Sequence, residues 1–481
     1  MPHVLAIDLG TSSIRATVYD SHPRPVKAAT HVRYAWRVGA DGSIDAPAAT
    51  VERAVAQAID GALKSVRQPI AAVSTAAFWH SLIGVDASGR AITPVLPWSD
   101  TRSVAQAVAL RDQLDEAAVH QRTGCRLHAS YWPARLRWFA AHDPRTFRRV
   151  RRWLTFPAYL NARWLGRAIE SRSQASGTGM FVHRTTQWDP ELVAACHVTP
   201  DHFAPIVDLD HHYDALPAAT ARRWPALREA RWIPPIGDGA SNNIGADCID
   251  GGHAALMIGT SGALRSIWNT AEAPDVPLGL WRYWLDRQRV VVGGALSNGG
   301  NLFAWLRATL GLTDDTRIEA RVARLTPDGH GLTMLPFLAG DRGPDALPHA
   351  RGAINGLRLA TSRDEIVRAG LEAVAYRFAP LLDLLTRVKK VDRIVASGAA
   401  LSASRVWPQI LADVLNHPIH VPRDAELTSR GAAILAFERL GVTPRALQPA
   451  IARVARPNRR NHRIYRAAAA RQRQLLAALG R

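Results

Sequence analysis

The chain has 481 residues, 47% of them apolar and 15 of them tryptophan, which is more than one hydrophobic core organises and excludes a disordered chain. The formal charge of +19 raises a nucleic-acid reading. Lysine, however, occurs only at Lys27, Lys64, Lys389 and Lys390 and the rest is arginine, as a GC-rich coding sequence would give, so the excess is compositional and nucleic-acid binding is disfavoured.

No apolar run approaches the about 18 residues of a spanning helix, and Met1-Pro2-His3-Val4 lacks a basic region followed by an apolar stretch, so no membrane insertion or secretion is expected. Cys125, Cys196 and Cys248 are odd in number and show no CxxC spacing, which fits a reducing cytoplasm.

Val4 to Ile7 reads as a strand stopped at Asp8-Leu9-Gly10-Thr11-Ser12-Ser13, and Ile14 to Tyr19 as its return, giving a hairpin with a small-residue tip. Val32 to Val38 supplies a third strand. Pro47 opens a helix through Val51, Ala54, Val55, Ala58 and Ile59, because proline in a first turn lacks only an N–H that would have no partner. Ala72 to Ala76 follows as a buried strand and Val104 to Ala118 as a helix. Strands alternating with helices predict an α/β sheet covered by helices.

Beyond a proline-rich connection at 233–236 the opening pattern recurs, with a strand Ala254 to Ile258, a tip Gly259-Thr260-Ser261-Gly262 and a return Ala263 to Trp268. The echo predicts two lobes built on one plan, residues 1–245 and 246–481. The second lobe continues with a strand at Val290 to Val292, helices Asn301 to Leu310 and Arg363 to Val388, a strand Arg393 to Ala396 and a helix Ser404 to Leu415. Arg453 to Arg481, with nine arginines and no acid, reads as a basic terminal helix with a solvated face. The absence of long low-complexity linkers predicts lobes joined compactly, able to hinge.

Phosphate binding needs backbone N–H donors brought close together, which Gly with small Ser or Thr side chains permits. Gly10-Thr11-Ser12 and Gly259-Thr260-Ser261 both meet that need, and Asp8, ending a buried strand, can hold the water shell of Mg²⁺ on nucleotide phosphates. Either tip alone reads as an ordinary polar turn. Asp238, flanked by Gly237 and Gly239, can approach a small substrate and accept a hydroxyl proton, while the plainer reading is a turn in which it bonds its own backbone.

Asp8-Leu9-Gly10-Thr11-Ser12-Ser13 with Arg15 resembles the first phosphate segment of the FGGY carbohydrate kinases, and Ile258-Gly259-Thr260-Ser261-Gly262 the second. Gly237-Asp238-Gly239-Ala240 with Gly245 is similar to the family's catalytic segment, Gly293-Gly294-Ala295 and Asn298-Gly299-Gly300 to its central glycine segment, and 335–342 to its C-terminal signature. Ala396-Ser397-Gly398-Ala399-Ala400, then Trp407, Gln409, Ile410 and Asp413, resembles the adenosine segment. Collinear order over most of the chain makes the set specific.

The resemblance implies two actin-like, ribonuclease H-like α/β lobes with a nucleotide cleft between them, ATP and Mg²⁺ as cofactors, and Asp238 as catalytic base and substrate contact. It implies Asp8, Gly10, Thr11, Ser12, Arg15, Gly259, Thr260, Gly300, Gly398 and Ala399 around the nucleotide, with Asp8 orienting the hydrated metal. Closure of the lobes would exclude water. A homodimer is compatible with the kinship.

Phe78-Trp79-His80-Ser81 and Trp98-Ser99-Asp100-Thr101-Arg102 resemble the family's substrate-lining segments, which brings forward His80, Trp98 and Asp100, bound mainly through the N-terminal lobe. Arg102 has two readings, a partner for a substrate carboxylate or an internal ion pair with Asp100. The context of His80 and Trp98 is most similar to the gluconate kinase branch, giving ATP-dependent phosphorylation of a sugar acid, sugar or polyol, gluconate foremost. Trp79 stands where that branch has Met, Asp341 where the signature has Glu, and Ala399 where the adenosine segment has a second glycine. The alternatives are a xylulokinase-like ketose kinase and a non-catalytic sugar-sensing protein of the same fold.

Overall fold

The computed structural model describes residues 2–479 apart from 28, 65, 214–215, 348–349 and 445–446. Residues 480 and 481, the end of the expected basic helix, lie outside the described residues.

In the first half, β1 (His3–Leu9) pairs antiparallel with β2 (Ser13–Tyr19), and β2 with β3 (Thr30–Arg33). β1 is buried from Val4 to Leu9, the continuous apolar run of a strand covered on both faces. The third strand is shorter than expected: Arg37–Val38 instead forms a ribbon with Ile44–Asp45. Between them Tyr34 Oη donates to the Gly10 carbonyl at 2.9 Å and Trp36 Nε1 to the Thr11 carbonyl at 2.5 Å, so this segment leaves the sheet to brace the first tip.

Helix α1 (Ala48–Leu63) begins after Pro47 and buries Val51, Val55 and Ile59. It leads into β4 (Ile70–Ala77), parallel to β1 on the side away from β2. The helix expected over 104–118 is two, α2 (Val104–Gln113) and α3 (Glu116–Thr123), because the Asp115 carboxylate accepts the N–H groups of Ala117 and Ala118 and starts a new helix. β5 (Arg231–Trp232) and β6 (Ile236–Gly237) both join β4, and α4 (Asp238–Gly245) leaves directly from β6.

The second half holds β7 (His253–Ile258), β8 (Gly262–Asn269), β9 (Trp281–Trp284) and β10 (Arg289–Leu296), then α5 (Gly300–Thr309), α6 (Arg363–Val388), β11 (Arg393–Ser397) and α7 (Val406–Leu415). β12 (Ile419–Pro422), α8 (Leu427–Arg439), β13 (Ile451–Ala455) and α9 (Arg459–Leu479) follow. The sheet runs β9-β10-β8-β7-β11-β12-β13, against β5-β4-β1-β2-β3 in the first half. The plan repeats: each hairpin has an antiparallel strand beside its second arm (β3, β10) and a parallel strand beside its first (β4, β11).

Arg453 belongs to β13 rather than to the terminal helix, and α9 has a packed face as well as a solvated one, burying Tyr465, Ala468, Ala469 and Gln472. Asp328, His330 and Glu372 cluster beneath it. His330 Nδ1 accepts the Leu332 N–H at 2.9 Å, so its other nitrogen carries the proton and donates to Glu372, whose oxygens also receive Arg368, Tyr376 and Tyr465. With those acceptors engaged, the cluster ties α6 to α9.

Helix α8 packs on β1 and β4 of the first sheet and crosses α4. At the crossing a Cβ on Gly431 would overlap the Ser241 carbonyl and one on Gly245 the Leu427 carbonyl, so the backbones touch only because both residues are glycine.

Candidate active site

The two tips face each other across one cleft of about 760 Å³. Gly10, Thr11, Ser12 and Arg15 line it from the first half, and Gly259, Thr260, Gly300, Gly398 and Ala399 from the second. The second tip is built by close backbone approach: Gly300 N–H donates to the Gly259 carbonyl at 2.9 Å and Asn301 N–H to that of Thr260 at 3.0 Å, so the start of α5 is capped by the tip itself. Gly398 has φ +94°, and a Cβ there would meet the Ile258 carbonyl. Ala399 follows with its methyl exposed in the cleft.

Three carboxylates surround the tips. Asp8, 4% exposed, receives Arg15 Nη1 at 3.1 Å, and Arg15 Nε lies 3.3 Å from Glu426. Burial pushes the Asp8 carboxyl up to about 7 against the pull of Arg15, and the negative charges of Asp238 and Glu426 add to the rise. Asp238 is the first residue of α4; its Oδ1 accepts the Gly239 N–H at 2.7 Å, so the local turn bond exists and the side chain still lines the cleft. Its carboxyl is raised by burial, with Arg265 and then Arg342 opposing.

Trp79 fixes this turn. Its Nε1 donates to the Ser173 carbonyl at 2.9 Å, and its ring fills the space above three glycines: a Cβ on Gly177 or Gly239 would stand 2.6 Å from ring carbons, and one on Gly237 would overlap them. The tryptophan is therefore accommodated by glycines and braces Gly237-Asp238-Gly239 from below.

Of the residues expected at the sugar, His80 and Trp98 line the cleft. His80 sits at φ +68°, an uncommon conformation for a side-chain-bearing residue, and its Nδ1 bonds the Gly177 carbonyl, so Nδ1 carries the proton and Nε2 is left as acceptor. Burial pushes its pKa down to about 3, which keeps the ring neutral. Asp100 does not line the cleft. It is fully buried, and its Oδ2 accepts Arg102 Nε at 2.7 Å and the Ile44 N–H at 2.8 Å, while Arg102 also holds Asp45 at 2.7 Å. Through Asp100 Oδ2 and Asp45, Arg102 thus pins the 37–45 ribbon, which is the internal ion pair of the two readings.

The end of the cleft around His80 and Trp98 is not the work of one half. Arg265 on β8, Trp281 and Tyr283 on β9, and Arg342 stand opposite Trp79, His80, Trp98, His128 and Tyr131, and the Tyr131 and Tyr283 hydroxyls meet at 2.8 Å. Sequence reasoning passed over Arg265, Tyr131, Trp281, Tyr283 and Glu426. Arg265 alone carried a signal, a charge inside the apolar strand Gly262–Asn269; the others come from distant segments whose apolar or polar character suits an ordinary core or surface.

Residues 3–245 match the N-terminal domain of the FGGY family of carbohydrate kinases and residues 254–438 its C-terminal domain. The chain is 26% identical to a gluconokinase of Bacillus subtilis over 91% of this chain and 88% of that one, and 27% identical to a xylulose kinase of Streptomyces rubiginosus over 90% and 87%. Its structure superposes on the crystal structure of gluconate kinase from Lactobacillus acidophilus with a TM-score of 0.91 at 25% identity, covering 99% and 98% of the two chains. The fold is accordingly two actin-like, ribonuclease H-like lobes. Paired glycine tips, a half-buried aspartate at the head of a helix and matches over both domains make one statement: this chain belongs to the FGGY family of carbohydrate kinases.

Proposed function

We propose that the protein transfers the γ-phosphoryl group of ATP to a hydroxyl of an open-chain sugar acid, with gluconate the foremost candidate. The observation that carries this reading is the convergence on one cleft of Asp238, both glycine tips and an aromatic-lined end that also holds Arg265 and Arg342. Asp238 accepts the hydroxyl proton; Arg265, beside it, favours its ionised form and faces the charge that develops on transfer. The tips present backbone N–H groups to the phosphates, and Gly398 and Ala399 border the nucleoside. Neutral His80 and the Trp98 face position hydroxyls and C–H groups.

The oxygen-only set of Asp8, Asp238 and Glu426 suits a hard divalent cation that keeps most of its water. Asp8 would hold Mg²⁺, which neutralises phosphate charge when bound. The organisation we propose is a lobe over 1–245 and another over 246–481. No helix among the described residues is long and apolar enough to cross a membrane, in keeping with work in the cytoplasm.

The test is ADP release with Mg-ATP across sugar acids, ketoses and polyols against a no-substrate blank. Turnover confined to sugar acids is expected. Turnover of xylulose alone moves the chain to a ketose kinase, and bound ATP without turnover on any substrate overturns the kinase reading in favour of a sensor.

A further inference from the structure

Four arginines reach the cleft besides those buried behind it, and three are committed. Arg15 is held between Asp8 and Glu426, Arg126 pairs with Glu116 at 2.9 Å, and Arg265 leans on Asn243 beside Asp238. Arg342 differs. No ion pair to it is formed among the described residues, its Nε is buried without a hydrogen-bond partner, and its guanidinium is stacked on the Trp98 ring with Cζ 4.0 Å from the centroid.

The position is built rather than accidental. The Arg342 N–H donates to Ser297 Oγ at 3.2 Å, and on either side Asp341 takes Arg377 at 3.1 Å and the Gly343 N–H at 3.0 Å. Stacking on an indole fixes the plane of the guanidinium and leaves its edge N–H groups to face a ligand. Around it stand His80 and His128, both kept neutral by burial, with Tyr131 and Tyr283. None of these supplies a negative charge; Asp238 and Asp341 act on the guanidinium through space, and neither forms an ion pair with it.

We propose that Arg342, stacked on Trp98, receives a carboxylate of the acceptor substrate and selects sugar acids over neutral sugars of the same length. The inference rests on the kinase reading above and adds which residue reads the anion. Arg102, the other arginine near this end, is already satisfied by Asp45 and Asp100. The substrate then carries its carboxylate at the Trp98 end and its reacting hydroxyl at Asp238. The competing role for Arg342 is a contact to the transferred phosphoryl group.

The experiment compares D-gluconate with D-gluconamide, which replaces the carboxylate by an uncharged group of the same shape, in the full-length enzyme and in Arg342→Gln and Arg342→Lys. In the parent enzyme kcat/KM for the acid exceeds that for the amide by about 100-fold, the value of one charge-assisted bidentate contact. In Arg342→Gln that ratio falls to within about threefold of unity through a raised KM for the acid, and Arg342→Lys restores part of it because a point charge replaces the fork. An equal fall for acid and amide carried by kcat assigns Arg342 to the phosphoryl group and overturns the proposal alone. A parent enzyme that turns over a neutral ketose and no sugar acid overturns the sugar-acid reading together with the anchor.

Discussion

Asp238→Asn preserves the shape of the side chain and the acceptor for the Gly239 N–H, and removes the group we propose takes the proton. Loss of a general base costs about 10²–10⁴-fold in turnover, about 3 to 5 kcal/mol of barrier at about 1.36 kcal/mol per decade. The variant also leaves Arg265 beside Arg342 with one fewer compensating charge, which favours anions, so the KM for ATP should not rise. Stability should not fall either: burial raises this carboxyl above its ordinary value, so its ionised form costs the fold free energy that Asn does not. The sign for activity follows from the same shift. The base works only when ionised, so kcat/KM in the parent enzyme should climb with pH through a value above the usual carboxylate range and level off above it, and that limb should vanish in the variant. ADP release at saturating substrates, a nucleotide titration and a thermal melt read these quantities. A variant whose kcat stays within about tenfold of the parent would remove Asp238 from the mechanism.

Gly431→Ala should cost about 3 kcal/mol, the upper end for overpacking, because the new methyl meets a carbonyl rather than a side chain that can move; an unchanged urea midpoint would contradict the helix crossing. Trp79→Ala should cost about 3 to 5 kcal/mol and also depress turnover, since the ring braces the Asp238 turn; a loss of stability with full kcat would separate the two roles. Glu170 is fully buried, accepts the Thr155 N–H at 2.7 Å and its hydroxyl at 2.8 Å, and is pushed up to about 7 by burial. Protonated in the fold where the unfolded chain is ionised, it supports stability below its ordinary pKa, and that support is lost as pH rises through about 7. Glu170→Gln should therefore gain melting temperature relative to the parent from pH 5 to pH 8, and parallel pH curves would refute this.

What could be read from the sequence was local. Each phosphate tip lies within one hairpin, so strand, small residues and returning strand are written contiguously at 3–19 and 253–269, and the Gly237-Asp238-Gly239 turn is equally self-contained. Helix α6 was legible to its ends because Ser362 and Glu365 form a capping box at one end and apolar spacing persists to Val388. The break between α2 and α3 was missed because apolar spacing continues across it while Asp115 acts on the backbone. The end of the cleft around His80 and Trp98 was only half legible: β9 reaches it from the second half, and the pairing of Tyr283 with Tyr131 spans 152 residues. The burial of Asp100 away from the cleft was hidden for the same reason, since its contacts with Arg102 and the Ile44 N–H are set by tertiary packing.

The contact between Gly245 and Gly431 brings two helix backbones together, and it is tied by side chains: Ser241 Oγ donates to the Thr428 carbonyl and Arg430 Nη1 to the Gly245 carbonyl, each at 2.7 Å. α4 begins at Asp238, and α8 begins one residue after Glu426, the partner of Arg15. The crossing and the two acids are therefore carried by the same two pieces of chain. Rotation at this crossing would break both bonds, so the crossing works as a rivet that holds Asp238 and Glu426 at a set spacing across the cleft.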